Sequence, residues 1–391
     1  MKRIIAFALA LCLMICLGAC QAESTASTED SSAPPSSSIT PNISPEIPSG
    51  PAPQLNLITG APLGEGLAEG DRPVAILVSN TQSNMPQRGL ASADALFEMV
   101  TEGGITRLMA LYADKDAVPQ TGPVRSARDQ HLQFAMPMNS IIVHIGASIY
   151  AENLLNHYRY ATVNGLYLGT TSFWFDEGRQ NAGYATEHCW FTDAGLIAAG
   201  IEKSQIATTG ASQQLFDFIP YDSAPVIPET GDAAEVSFSF SDVSPVSLSF
   251  DAESSRYLKN AFGAPQMDEL TGTQLAFDNV LILFAPVALK SPEDPNNIVT
   301  DFTLTNGTGY YCYGGKYRAV RWVKGNPEDA LHILDEDGSV LPINVGKSYV
   351  AVVGTEWEGT LTFNGVSPTG AAPDAEPAGA DGEAGAATEQ G

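Results

Sequence analysis

The stretch Ala95-Leu96-Phe97-Glu98-Met99-Val100-Thr101, then Glu102-Gly103-Gly104-Ile105, then Thr106-Arg107-Leu108-Met109-Ala110-Leu111-Tyr112 holds the deciding pattern. Two apolar, β-favouring runs flank a Gly-Gly pair, which predicts a β-hairpin. A two-residue Gly103-Gly104 loop pairs Glu102 with Ile105, Val100 with Arg107 and Glu98 with Met109. Alternation then places Leu96, Glu98, Val100, Glu102, Ile105, Arg107, Met109 and Leu111 on one face. The opposite face, Ala95, Phe97, Met99, Leu108, Ala110 and Tyr112, is almost wholly apolar and is expected on the core. In this register Glu98 and Glu102 flank Arg107 within diagonal reach.

Upstream, Val74 to Val78 is a continuous apolar run, expected as a buried strand. Downstream, Gly122-Pro123 predicts a helix reaching about Met136, with Pro in its first turn. Ile141 to Ile145 reads as another buried strand, followed by a helix from about Ser148 to His157. Residues 56–220 therefore predict an N-terminal mixed α/β domain. Pro225, Pro228 and Gly231-Asp232 mark a boundary near 220–234. Beyond it, Val236 to Phe240 and Val246 to Phe250 alternate cleanly, and several further strands follow. Residues 235–355 predict a β-rich C-terminal domain, so the fold class is α+β.

The chain ends read differently. Met1-Lys2-Arg3 precede the apolar run Ile4 to Leu17, and Leu17-Gly18-Ala19-Cys20 closes it, as in a secretory signal peptide. The last four residues resemble the bacterial lipobox, so Cys20 is the expected lipidation site. Acyl chains on one residue hold a protein at a bilayer because each buried methylene contributes about 0.8 kcal/mol. Residues 21–55, rich in Ser, Thr and Pro, are expected as a disordered tether. Residues 366–391 are expected as a disordered acidic Ala/Gly/Pro tail. The implied location is the extracytoplasmic face of the cell membrane, with membrane lipid as a partner through acylated Cys20.

Asp and Glu number 45 against 19 Lys and Arg, a formal net charge of -26. So acidic a surface repels phosphate backbones, so no nucleic-acid partner is expected. Of 5 cysteines, only Cys189 and Cys312 lie beyond Cys20, and a bridge between them stays open.

Against this charge, arginines gather in Gly122-Pro123-Val124-Arg125-Ser126-Ala127-Arg128. On a helix beginning at Pro123, Arg125 and Arg128 are surface neighbours. Two cations in a first turn oppose the helix dipole and call for a negative partner. Glu98 and Glu102 can supply it from within, and a bound anion from outside. The candidate ligand-binding set is therefore Arg107, Arg125, Arg128, Glu98, Glu102 and His144. His144 joins it because it ends a buried strand; a satisfied core histidine is the competing reading. Ser148 is expected as a helix N-cap rather than a nucleophile, because Tyr150 stands where the hydrolase turn needs Gly. Adjacent Glu187, His188 and Cys189 do not form a thiol–imidazole pair merely by adjacency. No zinc-ligand spacing occurs and the glycines at 64, 66 and 70 do not fit a dinucleotide loop, so neither metal nor cofactor is expected.

Asp71-Arg72-Pro73-Val74-Ala75-Ile76, Glu98-Met99, Glu102 to Arg107 and Gly122 to Arg128 together resemble the YerB-like bacterial lipoproteins. Thr271-Gly272, Asn279-Val280, Gly314-Gly315-Lys316, Arg321-Trp322 and Asn344-Val345-Gly346-Lys347 resemble that family's C-terminal part. The resemblance covers roughly 57 to 355. It implies a two-domain, lipid-anchored protein and no established activity. The expected function is a binding or interaction module at the cell envelope, taking an anionic or polar ligand such as a cell-wall glycan fragment, or a partner protein. The alternative is an envelope hydrolase or transferase using Glu98 or Glu102 as general acid or base, which requires a carboxyl of raised pKa.

Overall fold

The computed structural model of the protein describes residues 54–64, 66–291 and 298–369. The expected signal peptide, Cys20, the tether up to residue 53 and the tail from residue 370 lie outside the described residues.

Three strands form the N-terminal framework: β1 (Val74–Asn80), β2 (Ala95–Val100) and β3 (Thr106–Tyr112), with β3 antiparallel to both others. Every residue in all three is buried, which is why their sequences run apolar without alternating. β4 (Ile141–His144) lies parallel to β1, and β5 (Val163–Asn164) parallel to β4. Two helices border β4 in the chain, α1 (Asp129–Ala135) and α2 (Ile149–His157). The Ser148 side chain caps α2 by accepting from Ala151 N at 3.1 Å, the role expected of it.

The C-terminal half begins with a meander of β6 (Glu235–Ser239), β7 (Pro245–Asp251) and β8 (Arg256–Ala261). Their residues alternate between buried and partly exposed, as expected of strands covered on one face. β9 (Asn279–Ala285), β10 (Asn306–Tyr313), β11 (Lys316–Val323) and β12 (His332–Leu334) form an antiparallel ladder. β13 (Ser348–Gly354) then enters parallel to β9 on one side and parallel to β2 on the other. The order across the sheet is β12-β11-β10-β9-β13-β2-β3-β1-β4-β5.

The α+β class with a strand-rich second part holds. The two halves nevertheless share one sheet, because β13 supplies the hydrogen bonds that the β2 edge would otherwise leave open. The expected end at 355 falls short. β14 (Thr362–Phe363) pairs with β6, and Val366 N donates to Phe363 O at 3.0 Å, so folded chain continues into the first residues of the expected tail.

The hairpin register corrects the sequence reading. Thr101 N donates to Ile105 O at 2.7 Å, and Glu102–Gly104 form a 3-10 turn. Gly103 and Gly104 both have positive φ, +71° and +74°, which the turn requires. The pairs are Val100 with Thr106, Met99 with Arg107 and Glu98 with Leu108. One residue of slip exchanges faces. Glu98 and Arg107 therefore point to opposite sides of the sheet, and only Glu102, in the loop, stays with the arginines.

The second correction concerns Gly122 to Arg128, which is extended rather than helical. Val124 bridges Val78, and Ala127 bridges Ala147. Helix α1 begins only at Asp129, with Arg128 as its N-cap in a β conformation. A Cβ on Gly122 would stand 2.8 Å from both the Phe191 ring and Trp190 O, so strand-like packing fills the space.

Candidate functional site

Open sheets with parallel strands place sites at the strands' carboxyl ends. β1 and β4 are parallel over Val74–Ile76 and Ile141–Val143, and the extended segment around Arg125 wedges between them beyond that point. Arg125 N donates to Leu77 O at 2.8 Å, and Ser79 N to Pro123 O at 2.9 Å. On the other side Ile145 N donates to Arg125 O at 3.1 Å, and Ala127 N to Gly146 O at 2.9 Å. The backbone of this arginine turn is therefore held on both sides, which fixes where its side chains start.

The three arginines are not equivalent. Arg128 meets Glu102 with both faces of its fork, Nε to Oε1 at 2.6 Å and Nη2 to Oε2 at 2.9 Å. Burial works to raise the Glu102 carboxyl, but the Arg128 hydrogen bonds and charge override it and hold the carboxyl below its ordinary value. That is the reverse of what a general acid needs. Arg107 is 3% exposed and donates through Nη1 to the Ser126 carbonyl at 2.5 Å. Its Nε has no partner among the described residues. Arg125 is half-buried and among the described residues reaches only the Glu187 carbonyl, at 3.4 Å. No carboxylate forms an ion pair with Arg107 or Arg125 among the described residues; Glu102 is taken by Arg128, and Asp129 by Lys290 at 3.0 Å.

The electrostatics follow from that imbalance. Burial first, then the charges of Arg128 and Arg125, pull the Arg107 guanidinium down to about 9, against partial relief from Glu102. Arginine keeps its proton throughout the physiological range, so the shift marks a buried cation short of countercharge. Arg125 is lowered by burial and by Arg128, with exposed Glu187 acting the other way. Two buried histidines border the turn. His131 Nε2 lies 3.0 Å from Arg107 O, while its Nδ1 and His188 Nδ1 have no partner among the described residues.

Glu98 belongs elsewhere. It lies in a buried polar network on the other face of the sheet. Its Oε1 accepts from Asn80 Nδ2 at 2.8 Å and Thr106 Oγ1 at 2.7 Å. Its Oε2 accepts from Tyr349 OH at 2.7 Å and pairs with Lys259 Nζ at 3.0 Å. Lys259 also donates to Gln266 Oε1 at 2.6 Å and lies 5.0 Å over the Tyr349 ring. Gln87 Nε2 and Gln266 Nε2 both donate to Asn80 Oδ1, at 2.9 Å and 3.2 Å. Burial lowers the Lys259 ammonium despite Glu98, and burial followed by the Glu98 charge raises the Tyr349 hydroxyl. Lys259, Gln266 and Tyr349 come from the C-terminal half, so the network joins it to β1 and β2. Sequence reasoning missed all three. The available signal was Lys259, which takes an inward position between Tyr257 and Ala261 in an alternating strand.

His144 is a satisfied core histidine rather than a ligand group. Nδ1 lies 2.6 Å from Gly146 O, Nε2 lies 2.8 Å from Thr162 Oγ1, and burial lowers its pKa to about 4. Burial likewise lowers His131 to about 3. Both folded values lie below the unfolded value, so the unfolded chain takes up protons first on acidification. Stability should be full above about pH 6.5 and fall as pH drops toward 4, by about 2 kcal/mol per histidine at pH 5. Urea unfolding at pH 7 and pH 5 checks this, and replacing both histidines by Gln should remove most of the difference.

Arg88 is spoken for by Glu269, through Nε at 2.8 Å and Nη2 at 3.0 Å, and by Asp176 at 2.8 Å. Cys189 and Cys312 are free and buried. Among the described residues, no group of three or more His, Cys, Asp or Glu is placed to hold a metal ion. No described helix is long and apolar enough to cross a membrane.

Comparison with known proteins adds a family. Residues 58–219 match the N-terminal domain, and residues 235–350 the C-terminal domain, of a protein of unknown function (DUF3048). A Bacillus subtilis (strain 168) protein named "Putative lipoprotein YerB" is 26% identical over 292 residues, covering 72% of this chain and 81% of that relative. The crystal structure of the YerB protein from Bacillus subtilis superposes with a TM-score of 0.65 at 24% identity. That match covers 77% of this chain and 96% of the solved one, and it shows a shared fold. With both family domains matched in order along one continuous sheet, the chain belongs to the DUF3048 family of proteins of unknown function.

Proposed function

We propose that the protein is a lipid-anchored binding module of the extracytoplasmic envelope, and that the arginine turn takes an anionic ligand. The lipid anchor rests on the Leu17-to-Cys20 motif and on the relative's name as a lipoprotein. The anion reading rests on one observation: Arg107 and Arg125 lie together, buried or half-buried, with no carboxylate paired to either among the described residues. A carboxylate or phosphate reaching Arg125 would supply the countercharge that the fold withholds. Envelope glycans carrying acidic groups have that chemistry. The general acid or base alternative lacks support, because Glu102 is bound by Arg128 and Glu98 is enclosed by four partners.

Arg128 is committed to Glu102, so Arg125 is the residue to change. Titration calorimetry of the full chain with pyrophosphate and with N-acetylmuramic acid should show saturable binding of at least one. Arg125→Glu should weaken it by about tenfold or more, the scale of one charge-assisted hydrogen bond, with the melting midpoint unchanged. Absence of binding by both probes, or equal binding by the variant, would exclude this reading.

A further inference from the structure

A second concavity, away from the arginine turn, lies where the described chain begins. Residues 54–64 and 66–73 line, beside the start of β1, a cavity of about 270 Å³. Its walls include Leu55, Leu57, Leu63 and Leu67, each only partly buried, and among the described residues no aromatic side chain lines it. Hydrogen bonds hold the walls in place. Asn56 Oδ1 accepts from Ile58 N at 2.8 Å and Thr59 N at 3.2 Å, and Leu215 N donates to Leu57 O at 2.8 Å. Four leucines thus keep apolar area open to solvent, which an aliphatic chain would cover at a gain proportional to the area removed from water.

The lining also carries two acids. Glu69 accepts from Gln54 Nε2 at 3.0 Å, and Asp71 from Ala68 N at 2.8 Å. Neither forms an ion pair among the described residues, and no Lys or Arg lines the cavity. The neighbouring cation, Arg72, turns inward and donates to the carbonyls of Asn139, Ala207 and Ser140. Aliphatic walls with uncompensated negative charge suit a tail bearing a positive head and disfavour a tail bearing a carboxylate. We infer that this cavity binds the aliphatic tail of an amphiphile with an amine headgroup.

The test uses the full chain and a diazirine-bearing dodecylamine below its micelle concentration, with the crosslink located by peptide mapping. Label should fall within residues 54–73, and excess dodecylamine should displace it while dodecanoate at the same concentration does not. Ala68→Trp, at an exposed position of the cavity wall, should lower that label by about tenfold with the melting midpoint unchanged. Ala113→Phe, a larger side chain at another lining position, should do the same. Label confined to other segments, label unchanged by Ala68→Trp, or equal displacement by dodecanoate overturns the inference. Because neither variant touches Arg125, the outcome is independent of anion binding.

Discussion

Glu98→Gln should destabilise the protein by about 4 kcal/mol, among the larger losses a single buried substitution produces. The substitution leaves the Lys259 ammonium fully buried with Gln266 as its main polar partner. Lys259→Met should cost less, about 3 kcal/mol, because the Glu98 carboxylate keeps hydrogen bonds from Asn80, Thr106 and Tyr349. The double variant should recover much of the sum, since removing both charges together strands neither, with a coupling of about 2 kcal/mol. Urea unfolding of the four proteins measures the cycle. Single losses below about 1 kcal/mol that simply add would mean the pair contributes nothing to joining the two halves.

The position of this pair explains its expected weight. Glu98 lies on β2 and Lys259 on β8, while Tyr349 lies on β13, the strand that completes the sheet between the halves. A neighbouring segment reinforces the junction from outside. Glu269 pairs with both Arg88 and Arg179, each at 2.8 Å, and Asp268 accepts from Ala91 N at 2.9 Å. Relative motion of the two halves would have to break a desolvated charge network, so these two halves are expected to move together about this seam.

Much of the framework was legible from residues alone. Runs at Val74–Val78 and Ile141–Ile145 announced buried strands, the second of which ends at His144, and Ser148 announced a helix start. The register of the Ala95–Tyr112 hairpin was not legible, because a Gly-Gly pair is compatible with more than one loop length. Ser241 and Ser244, distant in sequence, donate to Gly104 O at 2.5 Å and 2.9 Å and help hold the longer turn. That single-residue difference divided the expected site into two. Gly122 to Arg128 misled in a similar way: Pro in a first turn suits a helix, but the open edges of β1 and β4 offer backbone partners that a local reading cannot see. Pairing of Arg128 with Glu102 survives both corrections, because Glu102 sits in the loop and does not change face.

Arg107 is where stability and binding should part. Arg107→Met keeps an aliphatic stem of similar reach and removes the guanidinium that lacks a carboxylate. Anion binding at Arg125 should fall by about tenfold, because the uncompensated charge beside it is removed. The unliganded fold should lose nothing, because the cation it gives up was buried beside Arg125 and Arg128 and held chiefly by one carbonyl. An arginine that served only as internal bracing would behave in the opposite sense, costing stability and leaving binding alone.

Unfolding free energy of Arg107→Met against the parent chain, by urea at pH 7 without added anion, therefore decides most directly whether this turn is built for a ligand. Equal or greater stability in the variant is expected of a cation kept for an external partner. A loss of about 3 kcal/mol or more would show that the guanidinium braces the fold, and the anion site would have to be abandoned.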